Sequence, residues 1–181
     1  MNIKAYIAYM KRSRIMKNAI VYSSQTGNTK LLACAIKDHL DKNDILYFGE
    51  PSDEALNADI IYVGFWTDKG CCNKECKDFL EKLQDKKVFL FGTAGFGEDN
   101  VYFDKVIKKS VKSLPNTAEL IGTYMCQGKM PMSVRERYEK MKKVPGLPMD
   151  IDKMISNFDK ALSHPDNKDV EELIKTISCE K

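Results

Sequence analysis

The chain has 181 residues, of which 43% are hydrophobic and 30% are charged, and these proportions are typical of a globular domain with one buried core. No apolar run approaches the roughly 18 residues that a transmembrane helix needs, and the six irregularly spaced cysteines do not form the dense pattern of a secreted disulfide-bonded scaffold. We therefore expect reduced thiols, a cytoplasmic location and no membrane partner.

The net charge of +3 comes from residues 1–15, which contain four basic side chains and no acidic one. The remaining chain has 25 basic and 26 acidic residues, a net charge of −1. We therefore predict a basic N-terminal extension, 1–15, followed by a single domain, 16–181, that has no nucleic-acid partner. The extension lacks the order of a signal peptide, because its basic cluster follows its short apolar run. We interpret it as disordered or loosely docked, or as the product of a start codon upstream of a true start at Met16.

From Met16 onward, short apolar runs alternate with longer amphipathic segments. The apolar runs, bounded by Gly, Ser or Pro, predict five β-strands: 19–22, 45–48, 59–64, 87–91 and 119–124. The amphipathic segments predict helices: 29–40, 54–58, 76–83, 100–111, 133–143, 150–162 and 169–177. Apolar strands separated by helices are typical of a doubly wound α/β sandwich, a parallel sheet with helices on both faces. Its ligand is expected beyond the carboxyl ends of the strands.

The loop after the first strand, 23–29, combines hydroxyl side chains, a glycine and the start of a helix. Converging backbone N–H groups, the helix dipole and the hydroxyls together favour an anion, and Gly27 lets the backbone fold around it. The loop lacks the Gly-Lys-Ser/Thr of a Walker loop and the glycine fingerprint of a dinucleotide site. A simple helix cap by Thr26 or Asn28 would need one such residue, whereas this loop supplies several.

This loop resembles the phosphate loop of the flavodoxin family, (Ser/Thr)-x-Thr-Gly-x-Thr, with every specified position filled. The resemblance extends from about Met16 to about Leu162 and implies a five-stranded flavodoxin-like sheet in the order 2-1-3-4-5, with FMN as cofactor. It implies that the FMN phosphate is bound by the side chains and amides of Ser24, Gln25, Thr26, Gly27, Asn28 and Thr29.

The loop predicted after the third strand, 64–70, contains the only tryptophan of the chain. An indole at the ligand edge can stack on a planar ring, and the resemblance implies that Trp66 lies against the isoalloxazine. The alternative is that Trp66 folds back onto the core. Its neighbours Phe65, Thr67 and Asp68 are included in the predicted cofactor site.

In many flavodoxins the residue after the stacking tryptophan is small, and its peptide turns to hydrogen-bond the flavin N5 hydrogen in the semiquinone. That position is Thr67 here, and a β-branched residue adopts positive φ poorly. The family's expectation of a stabilised semiquinone therefore does not carry over to this chain.

The loop after the fourth strand, 92–99, contains three glycines in six residues. A plain strand-to-helix turn does not need three, so we expect close backbone approach to the cofactor. The family places a second aromatic wall here, and Phe96 matches it, with Tyr102 as the rival. The predicted cofactor contacts of this loop are Gly92, Thr93, Ala94, Gly95 and Phe96.

Three cysteines, Cys71, Cys72 and Cys76, lie close together in the sequence. A structural metal site usually needs a fourth ligand, so we predict no metal and interpret them as thiols of a loop entering the third helix. Redox chemistry of Cys71 or Cys72 near the flavin is the minor alternative. His39 and His164 have no converging partners in the sequence, and we assign no catalytic residue.

The segment 125–149 is predicted as an insertion after the fifth strand, and its helix over 133–143 is strongly basic. It is interpreted as a solvated amphipathic helix, with a docking surface for an acidic redox partner or a lid over the flavin as functional alternatives. Residues from Lys168 onward form an extra C-terminal helix outside the resemblance.

The resemblance implies an electron carrier that delivers electrons from a donor protein to a partner reductase, as a monomer or weak dimer, with the flavin supplying the chemistry. The alternative is an FMN-dependent NAD(P)H:acceptor oxidoreductase of the quinone type, which would need a substrate pocket over the flavin. A third hypothesis, an interaction module without cofactor, conflicts with the intact phosphate loop and with the Trp66 loop.

Overall fold

The computed structural model describes residues 16–97 and 100–179. The predicted basic extension, 1–15, lies outside these residues, as do Glu98, Asp99 and the last two positions of the chain.

A parallel sheet forms the centre of the molecule. Its strands are β1 (Asn18–Tyr22), β2 (Ile45–Gly49), β3 (Ile60–Asp68), β5 (Lys87–Ala94) and β6 (Glu119–Gln127), and a short β4 (Cys71–Cys72) lies between β3 and β5 in the chain. The parallel strands have the order β2-β1-β3-β5-β6, and β4 pairs antiparallel with the end of β3. The predicted order of five parallel strands is confirmed, and β4 is an addition to it.

Helices connect the strands and follow the last of them. They are α1 (Asn28–His39), α2 (Lys74–Leu80), α3 (Asn100–Val111), α4 (Met132–Lys142), α5 (Ile151–Ala161) and α6 (Asn167–Cys179), with 3₁₀ turns at Lys42–Asp44 and Asp53–Asn57. The second 3₁₀ turn lies where residues 54–58 were predicted as a short helix. None of the helices in the described part of the chain is long and apolar enough to cross a membrane.

Helices cover both faces of the sheet, which explains why its central strands are apolar throughout. On one face, buried side chains of β1, β3 and β5 pack with α2 and α3. On the other face, the same strands pack with α1 and α6. Each central strand is therefore buried on both sides, as in other doubly wound sheets.

Two glycine–phenylalanine pairs lie side by side across β3 and β5. Gly64 is the register partner of Phe91, and Phe65 is the partner of Gly92. A Cβ on Gly64 would lie 2.3 Å from the Phe91 ring, and one on Gly92 would lie 2.6 Å from the Phe65 ring. Each ring therefore occupies the space above the neighbouring glycine, and the observed register accommodates both rings.

Strand β3 is longer than predicted, because its last residues form a hairpin. The turn residues Lys69 and Gly70 both have positive φ, 49° and 77°, as a tight two-residue hairpin requires. The polar residues Thr67 and Asp68 were predicted as loop, but they pair with Cys72 and Cys71 of β4. The prediction that these two cysteines are loop thiols is therefore wrong.

The C-terminal helix α6 belongs to the core and is not an addition to it. Leu173 is fully buried and Ile177 is 3% exposed, both in the cluster that contains Leu32 and Ile36 of α1. The Tyr124 hydroxyl of β6 donates a hydrogen bond to the Asp169 carbonyl (2.7 Å). The sequence predicts this helix but places it outside the resemblance, whereas in the structure α6 covers apolar surface that α1 and the sheet would otherwise expose.

The segment after β6 forms an antiparallel pair of helices, α4 and α5, with a small apolar cluster of its own. Tyr138 of α4 packs there with Ile151 and Phe158 of α5. Strand β6 extends to Gln127, so the first three residues of the predicted insertion, 125–127, belong to the sheet.

The burial of α6 predicts that Leu173→Ala destabilises the protein by about 2–5 kcal/mol, since a large-to-small change leaves a cavity in the core. Leu31→Ala is the matched control, because Leu31 lies on α1 but is 44% exposed. The free energy of unfolding in urea measures both. Equal values for the two variants would contradict the placement of α6 in the core.

Candidate functional site

A cleft of about 590 Å³ opens at the carboxyl edge of the parallel sheet. This is the edge at which doubly wound sheets bind ligands. Its walls come from the loops after β1 and β5, the hairpin of β3, the chain after β6, and α4. The predicted site residues that line it are Gln25, Thr26, Asn28, Trp66, Thr67, Thr93, Ala94, Gly95 and Phe96.

The first wall is the loop after β1 and the first turn of α1. Gly27 precedes α1 with a φ of 87°, and a Cβ there would meet nothing within 4 Å, so the backbone conformation rather than crowding favours glycine. The Ser24 hydroxyl accepts a hydrogen bond from the Lys30 amide (3.2 Å); it therefore serves the start of α1 and does not line the cleft. No acidic residue lies in the first turn of α1, so its positive dipole end is unopposed.

Several predicted site residues lie beneath the cleft instead of in it. The Thr29 hydroxyl donates to the Phe65 carbonyl (3.3 Å) and lies 3.2 Å from the Thr93 hydroxyl, and the Phe65 side chain is fully buried. The Thr29 and Phe65 side chains therefore do not line the cleft, and their contact with the cofactor stays a prediction. Asp68 does not line the cleft either; it pairs with Cys71 in the hairpin.

The glycines after β5 make room for side chains of the protein itself. A Cβ on Gly95 would lie 2.2 Å from Met130, and one on Gly97 would lie 2.5 Å from Tyr102. Gly92 lies inside β5, beneath the Phe65 ring. Among the described residues of this loop, Gly95 lines the cleft and Gly92 and Gly97 do not; close approach of the backbone to a cofactor stays a prediction.

Aromatic side chains line the cleft from two sides. Trp66 belongs to β3, and both Phe96 and Tyr102 line the cleft on the side of β5. Phe96 is 43% exposed. Tyr102 is more buried, and this burial raises the pKa of its hydroxyl. Both rivals for the second aromatic wall are thus present, and Trp66 does not fold away from the cleft.

Two polar atoms of the cleft lining are buried without a hydrogen-bond partner among the described residues: Asn28 Oδ1 and Thr67 Oγ1. Asn28 is only 6% exposed. An unpaired buried polar atom costs about 1–3 kcal/mol, and a polar ligand that hydrogen-bonds to it would remove that cost. Thr67 lies opposite Cys72, and its φ is not positive.

The chain after β6 forms a further wall of the cleft. From the sequence, a position over the ligand is one of the alternatives for this segment. Gly128, Lys129, Met130 and Pro131 cross the cleft, and Val134, Arg137 and Tyr138 of α4 continue the wall. We call residues 128–131 the strap. A Cβ on Gly128 would lie 2.6 Å from the Asn28 amide nitrogen, so glycine lets the strap pass close to Asn28.

Hydrogen bonds hold the strap at both edges. The Asn28 side-chain amide donates to the Lys129 carbonyl (2.9 Å), while the backbone amides of Gly128 and Lys129 donate to the carbonyls of Ala94 and His164 (both 2.9 Å). The strap therefore connects the loop after β1 to the loop after β5. Helix α4 borders the cleft, which is where a lid over a bound cofactor would have to lie.

Charged side chains of one sign line the cleft. Lys69 of the hairpin, Lys129 of the strap and Arg137 of α4 all face it. Among the described residues that line it, no Asp or Glu occurs. The cleft is therefore suited to an anionic ligand.

The cysteines near the hairpin are structural thiols. Cys72 and Cys71 both approach the Ser110 hydroxyl of α3, and the Cys76 thiol donates to the Gly64 carbonyl (3.2 Å). Burial raises the pKa of Cys72 to about 11 and that of Cys76 to about 12. Such thiols stay protonated at neutral pH and are weak nucleophiles. All six cysteines are free; Cys126 is buried, and Cys34 is only half-buried.

His164 has a partner that the sequence did not indicate. Its Nδ1 lies 2.6 Å from a carboxylate oxygen of Asp169, and Asp166 lies in the same group of side chains. Asp166 accepts hydrogen bonds from the amides of Lys168 and Asp169. These contacts order the start of α6, and the expectation that His164 lacks converging partners is wrong.

A sequence profile of the flavodoxin domain matches residues 19–178. The chain belongs to the flavodoxin family. The match includes nearly all of α6, which agrees with the burial of this helix. The resemblance therefore extends beyond Leu162, where we predicted that it ends.

Two curated members of the family are similar to this chain over most of their length. Both are flavodoxin-like domain-containing proteins named BilS. The one from Clostridioides difficile is 36% identical over 161 residues, 87% of this chain and 92% of the relative. The one from Clostridium symbiosum is 38% identical over 172 residues, 86% of this chain and 90% of the relative.

Solved flavodoxin structures share the fold. The crystal structure of oxidised flavodoxin 2 from Bacillus cereus has a TM-score of 0.50 and 20% identity, covering 91% of this chain and 97% of that one. At this identity the likeness concerns the arrangement of sheet and helices alone.

The buried thiol of Cys76 predicts a loss of stability in alkaline solution. Burial raises the pKa of this thiol to about 12, so above the pKa of an unfolded cysteine the folded state binds more protons than the unfolded state, and the free energy of unfolding falls as pH rises. Urea unfolding at several pH values between about 8 and 11 measures the slope of the free energy of unfolding against pH. This range includes the pKa of about 8.5 at which an unfolded cysteine thiol ionises.

The variant Cys76→Ala removes this ionisable group, and we expect a shallower decline of stability with pH than in the wild type. Cys179→Ala is the control, because Cys179 is exposed and its removal leaves the slope unchanged. Identical slopes in the wild type and in Cys76→Ala would contradict the burial of this thiol.

Proposed function

We propose that the chain binds FMN in the cleft and carries electrons between partner proteins. The observation that carries this proposal is the meeting, in one cleft, of a helix N-terminus, a hydroxyl-rich loop and aromatic side chains on two sides. Family membership supports the same cofactor. The proposal places the protein in the cytoplasm, as a monomer or weak dimer, with neither nucleic acid nor a membrane as partner.

The FMN phosphate fits the wall formed by the loop after β1. The amides at the start of α1 donate hydrogen bonds to it, and the Thr26 hydroxyl and the Gln25 side chain complete the contacts. Asn28 contributes on this side through its unpaired Oδ1, which can accept a hydrogen bond from a ligand hydroxyl. The cations of the lining add a favourable potential for the dianion.

The flavin ring fits the other end of the cleft, between Trp66 and the aromatic pair Phe96 and Tyr102. Bound FMN would supply reversible redox chemistry, while the protein binds the ring, orients it and sets its electrostatic surroundings. The buried Thr67 hydroxyl can hydrogen-bond a polar edge of the ring. The Thr67 peptide is held in the hairpin with Cys72, which opposes the backbone turn described for other family members.

The carrier role rests on the access that the open side of the cleft gives to a partner protein. Phe96 is 43% exposed there, so a donor and an acceptor reductase can approach the ring edge through an apolar contact. Of the basic residues of α4, Arg135 and Lys142 pair with Asp159 and Asp152 of α5. This pairing weakens the alternative of α4 as a broad basic docking surface.

The NAD(P)H:acceptor oxidoreductase is the second candidate, and one observation favours it. The wall of α4 adds Val134 and Tyr138 to the cleft, and an enzyme needs such a wall to hold a small acceptor against the flavin. The two candidates differ in what the purified protein does without a partner.

Thr26→Ala removes one donor to the phosphate. We expect the dissociation constant for FMN to rise by about tenfold or more, because hydrogen bonds to charged groups contribute about 1.5–3 kcal/mol. Titration of the flavin fluorescence measures the constant. Thr176→Ala is the matched control, since Thr176 lies on α6 and its hydroxyl donates to the Glu172 carbonyl. Equal affinities for FMN in the two variants would rule out the proposed position of the phosphate.

Steady-state oxidation of NADH and NADPH by the FMN-loaded protein separates the carrier from the enzyme. A carrier shows slow oxidation that does not respond to added quinones, but rapid reduction when a flavoprotein reductase is added. Rapid turnover of NAD(P)H with a quinone and no partner protein would contradict the carrier role and establish the second candidate.

A further inference from the structure

Helix α4 brings basic side chains close to the cleft. Two of them, Arg135 and Lys142, form ion pairs with acidic side chains. Arg135 pairs with Glu139 (3.2 Å) and with Asp159, and Lys142 pairs with Asp152. Arg137 lies on the same helix, but it makes no ion pair within the part of the chain that the structure describes. Its positive charge therefore acts on the cleft that it lines.

Arg137 is an exposed side chain of α4 that lies beside a buried aromatic residue. Its guanidinium lies 5.7 Å from the centroid of the Tyr138 ring, and Tyr138 is 5% exposed in the cluster between α4 and α5. Helix α4 in turn follows the strap, which hydrogen-bonds to Asn28 and to Ala94. The charge of Arg137 is thus presented by a wall that is tied to the rest of the site.

We propose that Arg137 is a charge-compensating residue that favours the reduced over the oxidised form of the bound flavin. This inference rests on the proposed FMN site. Full reduction takes two electrons from an external donor and one proton from solvent, so the flavin ring gains one negative charge at neutral pH. A cation in the same cleft stabilises this added charge, and the described lining contains no carboxylate that would cancel it.

The consequence is a flavin that is easier to reduce than it would be in an uncharged cleft. Lys69 and Lys129 add to the effect, but each projects from a turn or strap at the border of the cleft, whereas Arg137 is carried by a helix. Arg137 therefore raises the flavin potential from α4, a helix that follows the last strand of the sheet.

Arg137→Gln tests the inference, with Lys140→Gln as the matched control on an exposed position of the same helix that does not line the cleft. The dissociation constant of oxidised FMN is measured by fluorescence titration, and the two-electron midpoint potential by equilibration with a reference dye. We expect Arg137→Gln to reduce the preference for reduced over oxidised FMN roughly tenfold, which lowers the potential by about 30 mV. Lys140→Gln should leave it unchanged.

Two further measurements separate charge from structure. Arg137→Lys should retain most of the wild-type potential, and the difference between the wild type and Arg137→Gln should shrink as salt is added, because salt screens exposed charges. Equal potentials in the wild type and Arg137→Gln, or equal losses in Arg137→Gln and Lys140→Gln, would overturn the inference while FMN binding stands. Failure of the wild type to bind FMN would overturn the proposed function and this inference together.

Discussion

The paired glycines and phenylalanines of β3 and β5 are the constraint on which the rest of the site depends. Gly64 lies beside Phe91 and Phe65 beside Gly92, and each ring fills the space that a neighbouring Cβ would need. A shift of one residue would place a ring against a side chain on both faces. The register places Trp66 next to Thr93, and so it brings the aromatic wall and the loop after β5 to one level.

Gly64 also admits the first turn of α1, which follows the loop after β1. A Cβ on Gly64 would also lie 3.0 Å from the Thr29 side chain, and the Thr29 hydroxyl reaches Thr93 and the Phe65 carbonyl. The first turn of α1 is therefore seated on the paired strands. Asn28, the next residue toward the cleft, then ties the strap and α4 to this arrangement. Packing inside the sheet thus determines the geometry of a site at its edge.

The positions of the strands and most of the cleft lining are predicted from local patterns, whereas the order of the strands is what the resemblance to flavodoxins implies. Apolar runs mark the strands, and the hydroxyl-rich loop before α1 marks the edge where the ligand is expected. The roles of Gly92, Gly95 and Gly97 depend on Phe65, Met130 and Tyr102, which lie close only after folding. The hairpin at Lys69 and the burial of α6 are likewise tertiary effects, which override the local signals of polar residues and chain position.

The central claim is that FMN binds in the cleft beside Trp66. The chain contains a single tryptophan, and it lines this cleft, so its fluorescence reports on a ligand there. Stepwise addition of FMN to the purified protein should quench the Trp66 emission and saturate at one flavin per chain, with riboflavin, which lacks the phosphate, acting only at much higher concentration. Unchanged Trp66 emission on addition of FMN to the folded protein would contradict the account.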